Sequence, residues 1–170
     1  MLILPGAPAL SAFRCEKLLE SLKTLQPEIK AVNAEFIHFV DLSEPLSAVE
    51  TEVLAQLLKY GPLADKQAVG GAVLLVVPRA GTISPWSSKA TDIAQNAGIS
   101  KIKRIERGIA YHIDGGFDAM AVSHLLHDRM TESIYHSLDE AEALFVQHEP
   151  KPLHVVDLLK GGKIALEVAN

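Results

Sequence analysis

The chain is poor in the groups that most often declare a function. Of its 170 residues one is a cysteine, Cys15. A lone thiol excludes an intrachain disulfide and any zinc site built on several cysteines, and it fits a reducing compartment such as the cytosol. A basic surplus is missing too: 16 Lys and Arg stand against 21 Asp and Glu, giving a net charge of −5 and a pI near 5.8. That balance argues against nucleic acid and anionic membrane as partners. The N-terminal stretch MLILPGAPAL is apolar, but it has no basic lead and Pro5 and Pro8 break it. It reads as neither a signal peptide nor a membrane span. A phosphate loop needs Gly-Lys-Ser/Thr, which is absent. A Ser-x-x-Lys nucleophile ending at Lys89 would need serine where Trp86 stands. No nucleophile–base pair recommends an independent hydrolase.

What is present gathers at residues 72–97. Val73 to Val77 is a short apolar run, read as a strand buried on both faces. Pro78 ends it, because proline offers no N–H to a ladder. After a polar loop, Ser84-Pro85 gives a helix start: a side-chain cap, then the residue preset for the first helical position. Ile93, Ala94 and Ala97 form the apolar face of that helix and Gly98 stops it. The candidate site residues lie here: Arg79, Thr82, Ser84, Trp86, Ser87, Ser88 and Lys89. Two readings fit them. The free N–H groups of a helix start, with Arg79 and Lys89 nearby, suit a phosphate or carboxylate. Alternatively the serines cap, the cations are solvated and Trp86 packs against a neighbour.

Around this centre the chain has a packed core's worth of apolar residues, 48%, suiting one domain or two small subdomains. Leu2 to Leu4 read as a first strand ended by Pro5-Gly6. A helix follows to about Leu25, with Cys15 buried and inert on its apolar stripe. Residues 33–42 form a strand carrying Phe36 and Val40 on one face, Ile37 and Phe39 on the other, with His38 half-buried. Ser47 to Glu50 is a capping box opening a helix that stops at Gly61-Pro62. Residues 63–71 read as a surface connection.

Residues 101–113 read as a long strand, or a hairpin with an irregularity near Gly108. Ile102 and Ile105 differ in parity, so a bulge or turn lies between them. Lys101, Lys103, Arg104 and Arg107, with Glu106 among them, read as a solvated basic face, or in second place as a contact with an acidic partner. Asp118 caps a helix through about Arg129. Its His124 and His127, beside Asp128, have the spacing of a metal pair but no third ligand, so no metal is expected. Ser133 to His136 read as a last strand, and Ser137 to Glu140 as a second capping box before a short helix through Phe145. Pro150 and Pro152 mark a connector, and residues 155–170 begin a new helical pattern. The expected division is a domain over 1–146, with halves at about 1–62 and 72–146, and a connector with a truncated start of further structure over 147–170.

The order strand, helix, strand, helix recurs in the two halves. It suggests an α+β fold of tandem ferredoxin-like units (β-α-β-β-α-β type) sharing a core, with a single open α/β sheet as the competing arrangement.

The loop PRAGTISPWSSKATDIA (78–94), followed by Gly98 and RIERGIAY (104–111), resembles the N-terminal domain of long-form bacterial phosphoribosylformylglycinamidine synthase, also called FGAR amidotransferase. The likeness continues through PALSAFR (8–14), AEFIHFVDL (34–42), LLKYGP (57–62), LHDRMTES (126–133), AEALF (141–145) and VDLL (156–159). The resemblance implies a pseudo-twofold domain similar to a dimer of the small subunit of multi-subunit versions. It implies membership of a ligase of de novo purine synthesis, which uses glutamine as ammonia source and ATP with Mg2+. The partners implied are the synthetase and glutaminase portions of the same chain, which this domain couples. Neither portion's signatures are present, and Cys15 matches no glutaminase nucleophile, so the chain alone is expected to be inactive and to hold no cofactor. On this resemblance the central loop becomes an inter-domain contact. The alternative is a stand-alone ferredoxin-like module binding a small molecule or phosphate near Ser87.

Overall fold

The computed structural model describes residues 1–61, 70–146, 152 and 155–169. Pro62 and most of the expected surface connection, like most of the expected connector, lie outside the described residues. The elements run β1 (Leu2–Pro8), α1 (Ala12–Leu25), β2 (Ala31–Leu42), α2 (Ala48–Leu57), β3 (Ala72–Pro78), α3 (Pro85–Asn96), β4 (Ile102–Asp114), α4 (Ala119–Leu126) and β5 (Glu132–Tyr135). A 3-10 helix at Asp139–Phe145 and α5 (Leu158–Ala169) follow.

All described strands join one antiparallel sheet in the order β1-β2-β4-β3-β5. The protein is thus a mixed α+β fold built on a single five-stranded sheet. Strand alternation sorts its faces. On β2, Val32, Ala34, Phe36, His38 and Val40 share one side, and on β4 Ile105, Arg107, Ile109, Tyr111 and Ile113 oppose them. That side is covered by four helices. Leu22 of α1 and Val122 and Leu126 of α4 pack over Val32, Ala34 and Ile113. Leu54 of α2 and Ala94 of α3 pack over Val40 and Ile105. The opposite face, with Ile37, Phe39, Leu75 and Ala110, packs against Ala141 and Leu144 of the 3-10 helix. β3 is therefore buried on both faces, Leu74 and Val76 one way and Leu75 and Val77 the other.

Several local expectations shift for physical reasons. β1 does not stop at Pro5-Gly6 but runs to Pro8 with an irregularity between Pro5 and Pro8. It is an edge strand, where a missing N–H costs no ladder bond. β4 is one strand through Gly108, not a hairpin. Its register slips by one residue where Asp41 pairs Arg104 but Leu42 pairs Ile102, leaving Lys103 as the bulge. Gly108 has another role: a Cβ there would lie 2.8 Å from the Val76 carbonyl oxygen and 2.9 Å from Val77 Cγ1. Helix α4 ends at Leu126, short of Arg129. Asp128 ends it by accepting the Met130 N–H on its side chain while its carbonyl takes the N–H groups of Thr131 and Glu132. At the second expected capping box, Glu140 reaches back to His136 N and Ser137 Oγ, but no side chain caps the 3-10 helix. The box at Ser47 and Glu50 is complete in both directions.

Candidate functional site

The start of α3 is built as its sequence dictates. Ser84 sits extended at φ −69° and ψ 149°, Pro85 follows, and Ser84 Oγ accepts the Ser87 N–H at 3.0 Å. The helix start is not left open. Ser84 donates its N–H to Glu106 Oε1 (3.2 Å) and its hydroxyl to Glu106 Oε2 (2.8 Å). Glu106 is fully buried on β4, so the chain's own carboxylate occupies the place where an anion would bind. Two residues away on the same strand face, Arg104 neutralises it, with Nε 3.1 Å from Oε1. The same guanidinium donates to the Leu144 carbonyl at 3.1 Å and to the Thr82 carbonyl, and lies 5.5 Å from the centre of the Phe145 ring. Arg104 thereby ties β4, the loop before α3 and the 3-10 helix together.

On the opposite face of β4, Arg107 lies between two aromatic rings. Its guanidinium carbon is 4.3 Å from the centroid of Phe36 and 4.7 Å from that of Trp86. Such a partly desolvated cation between rings contributes about 1–2 kcal/mol. Its Nη1 donates to the Tyr60 hydroxyl at 3.2 Å, and that hydroxyl is 2.7 Å from His38 Nε2. Burial pushes the Tyr60 phenol up from its ordinary pKa, with Arg107 pulling the other way. His38 is not half-buried but wholly so. Burial lowers its pKa to about 4; the Leu4 backbone opposes the shift without making a well-formed bond to Nδ1, and the Arg107 charge adds a smaller lowering. The Tyr60 oxygen accepts the Arg107 N–H, so the phenol O–H donates to Nε2 of the neutral imidazole. The ring proton then sits on Nδ1, whose nearest acceptor is the Leu4 backbone, short of a well-formed hydrogen bond. Gly6 makes room for this ring: a Cβ there would be 2.7 Å from His38 Cε1.

The seven sequence-chosen residues therefore separate. Ser84 is engaged with Glu106. Ser87 is buried, its Oγ unpartnered. Trp86 turns inward to His38 and Arg107. The side chains of Arg79, Thr82, Ser88 and Lys89 are exposed, the Thr82 hydroxyl bonding the Arg79 carbonyl at 2.6 Å. The expected basic face disperses: Arg104 and Arg107 go to opposite sides of the sheet, Lys101 pairs with Glu50 at 2.9 Å, and Lys103 is exposed. Glu106, Arg104, Arg107, Phe36 and Tyr60 are the members that sequence reasoning missed. The signal for the first pair was available, since residues two apart on a strand share a face. His127 turns Nδ1 to the Ser123 carbonyl of its own helix (2.7 Å), and burial raises the Cys15 thiol pKa.

The model of the family described as formylglycinamide ribonucleotide amidotransferase N-terminal matches residues 35–145. The chain belongs to that family. The match begins in β2 and closes at the end of the 3-10 helix, so it spans the Arg107 cage, the Glu106 anchor and the intervening loop. Membership carries a role in FGAR amidotransferase, an enzyme of purine synthesis, and makes the chain part of a larger FGAR amidotransferase chain. Among the described residues no helix is long and apolar enough to cross a membrane.

Proposed function

We propose that this chain is the coupling scaffold of a cytosolic FGAR amidotransferase: a domain that performs no chemistry and holds the synthetase and glutaminase portions in register. One observation carries the reading. The loop before α3 is fixed from beneath by Glu106 and Arg104, while Arg79, Thr82, Ser88 and Lys89 face outward. A surface held this firmly with its polar groups turned out suits a contact with a neighbouring portion. The stand-alone phosphate-binding reading is weaker, because Ser84 and the helix start already serve Glu106. ATP and Mg2+ fit these residues poorly for the same reason, and no cluster of three metal-ligating side chains occurs among the described residues. On this proposal both belong to the synthetase portion.

The tandem ferredoxin-like arrangement is part of the proposal. Its support is the inner order β1-β2-β4-β3 of the five-stranded sheet, which reads the same when each half is exchanged for the other, with β5 outside that relation. The caps Ser11 and Ser84, and then Ser47 and Asp118, recur at nearly equal spacing.

The test uses the full-length enzyme. Arg79→Ala with Lys89→Ala is expected to lower glutamine-dependent synthesis severalfold while leaving ammonia-dependent synthesis and Tm unchanged. Equal loss with glutamine and with ammonia, or no loss with either, refutes the coupling role. Trp86→Ala is a poor probe, since it also removes the wall of the Arg107 cage.

A further inference from the structure

The helices on the covered face of the sheet close unevenly. α1 and α4 pack directly on one another, and their inward residues Leu22 and Val122 are fully buried. Between α2 and α3 a cavity of about 180 Å³ remains. Ile105 of β4 forms its floor, with Leu54 and Leu58 on one side and Ala90 and Ala94 on the other. Leu57 and Ile93 stay 38% and 50% exposed around it. Tyr60 and Trp86 also line it, but the Tyr60 hydroxyl is spent on His38 and Arg107, so the tyrosine offers only its ring.

Among the described residues the one charged side chain in the lining is Lys89. It is exposed, and its ammonium makes no ion pair with any described residue, in a chain of net charge −5. A lysine stem lying along an apolar wall with its head in water is free to place that charge over a mouth. A closed void of about 150 Å³ with aliphatic and aromatic walls takes up benzene, and this open-mouthed one has room for a ring of that size.

We propose that this cavity binds a small molecule with a compact apolar body, one six-membered ring or a branched alkyl chain, and a carboxylate that pairs with Lys89. The apolar body replaces exposed leucine and isoleucine surface at the mouth, and the carboxylate supplies the anion that Lys89 lacks. The proposal goes beyond the coupling role but draws on Lys89, which that role also uses, so it is tested on the chain alone, where no neighbouring portion competes for the lysine.

Trp86 is the sole tryptophan, so its emission reports on this wall alone. Titration of the 170-residue chain with phenylacetate is expected to give a saturable change. Neutral phenylacetamide is expected to bind about two- to fivefold more weakly, the size of an exposed ion pair. Lys89→Met is expected to abolish that difference while keeping amide binding, and Ala90→Phe to remove both by filling the void. Should Ala90→Phe not fold, amide chemical shifts of the unaltered chain decide instead: changes confined to α2, α3 and Ile105 support the site. A linear, non-saturating response, equal affinity for acid and amide, or shift changes centred elsewhere overturns it.

Discussion

Replacing Arg104 with methionine tests whether the start of α3 hangs on a buried ion pair. Glu106 is fully buried and the Arg104 side chain 18% exposed. Removing one member of a buried pair costs about 3–5 kcal/mol, because the other charge is left stranded. Two features pull the estimate to the lower end. Arg104 keeps some contact with water, and Glu106 retains both donors from Ser84. Against that, the Leu144 and Thr82 carbonyls each lose a charged donor. The expected loss is about 3 kcal/mol, a fall in Tm of roughly 6–12 °C for a domain of this size. Urea unfolding followed by circular dichroism and by Trp86 fluorescence measures it, with coincident transitions checking two-state behaviour. The pair term comes from a cycle with Glu106→Met. The double variant should lose less than the two single variants together, by about 2 kcal/mol. A loss under about 1 kcal/mol for Arg104→Met, or simple additivity in the cycle, would refute the reasoning.

The caps should rank by what their hydroxyls do. Ser84→Ala, which strips both the cap and a Glu106 donor, should cost about 2 kcal/mol, whereas Ser11→Ala, whose bond to the Arg14 N–H is 3.4 Å and exposed, should cost about 0.5 kcal/mol; the reverse order would show that Glu106 does not hold the helix. His38 gives the chain an acid limit. Its folded pKa, about 4, lies below the 6.5 of an ordinary imidazole, so the unfolded chain binds the proton first. Stability contributed by neutral His38 is complete above pH 6.5 and falls as pH drops toward 4, by about 2 kcal/mol between pH 7.5 and 5. Denaturation at the two pH values should show this slope, and His38→Leu should flatten it; an unchanged slope in the variant assigns the effect elsewhere. Gly108→Ala should cost about 1–3 kcal/mol by driving a methyl into the Val76 carbonyl, with amide exchange faster along β3 and β4 than in α1. Uniform exchange would mean that the strands yield without strain.

Most elements were legible because their signals are local. Capping at Ser47 and Ser84, the two-sided apolar run of β3, and the parity break between Ile102 and Ile105 each depend on a few neighbouring residues. What stayed hidden depends on cross-strand partners. Phe36, Tyr60 and Trp86 are far apart in the chain, and only the pairing of His38 with Arg107 brings them around one guanidinium. The same pairing explains why a basic run did not become a basic face: alternation on a two-sided strand sends Arg104 and Arg107 to opposite layers. The loop was found as a polar concentration, yet its division into anchored and outward side chains required knowing that Glu106 lies under it. Likewise the proline-interrupted start of β1 looked terminal until its edge position was known.

The two inner strands, β2 and β4, pair along their whole lengths although the chain between them includes α2, β3 and α3. Among the described residues this ladder is the sole strand pairing between segments 1–61 and 70–146. Severing the chain between Gly61 and Gly70 would hence leave two pieces, each baring a long central edge rather than a protected rim. Mixed, they have every reason to find one another and rebuild the sheet; purified apart, each is primed to pair with its own kind.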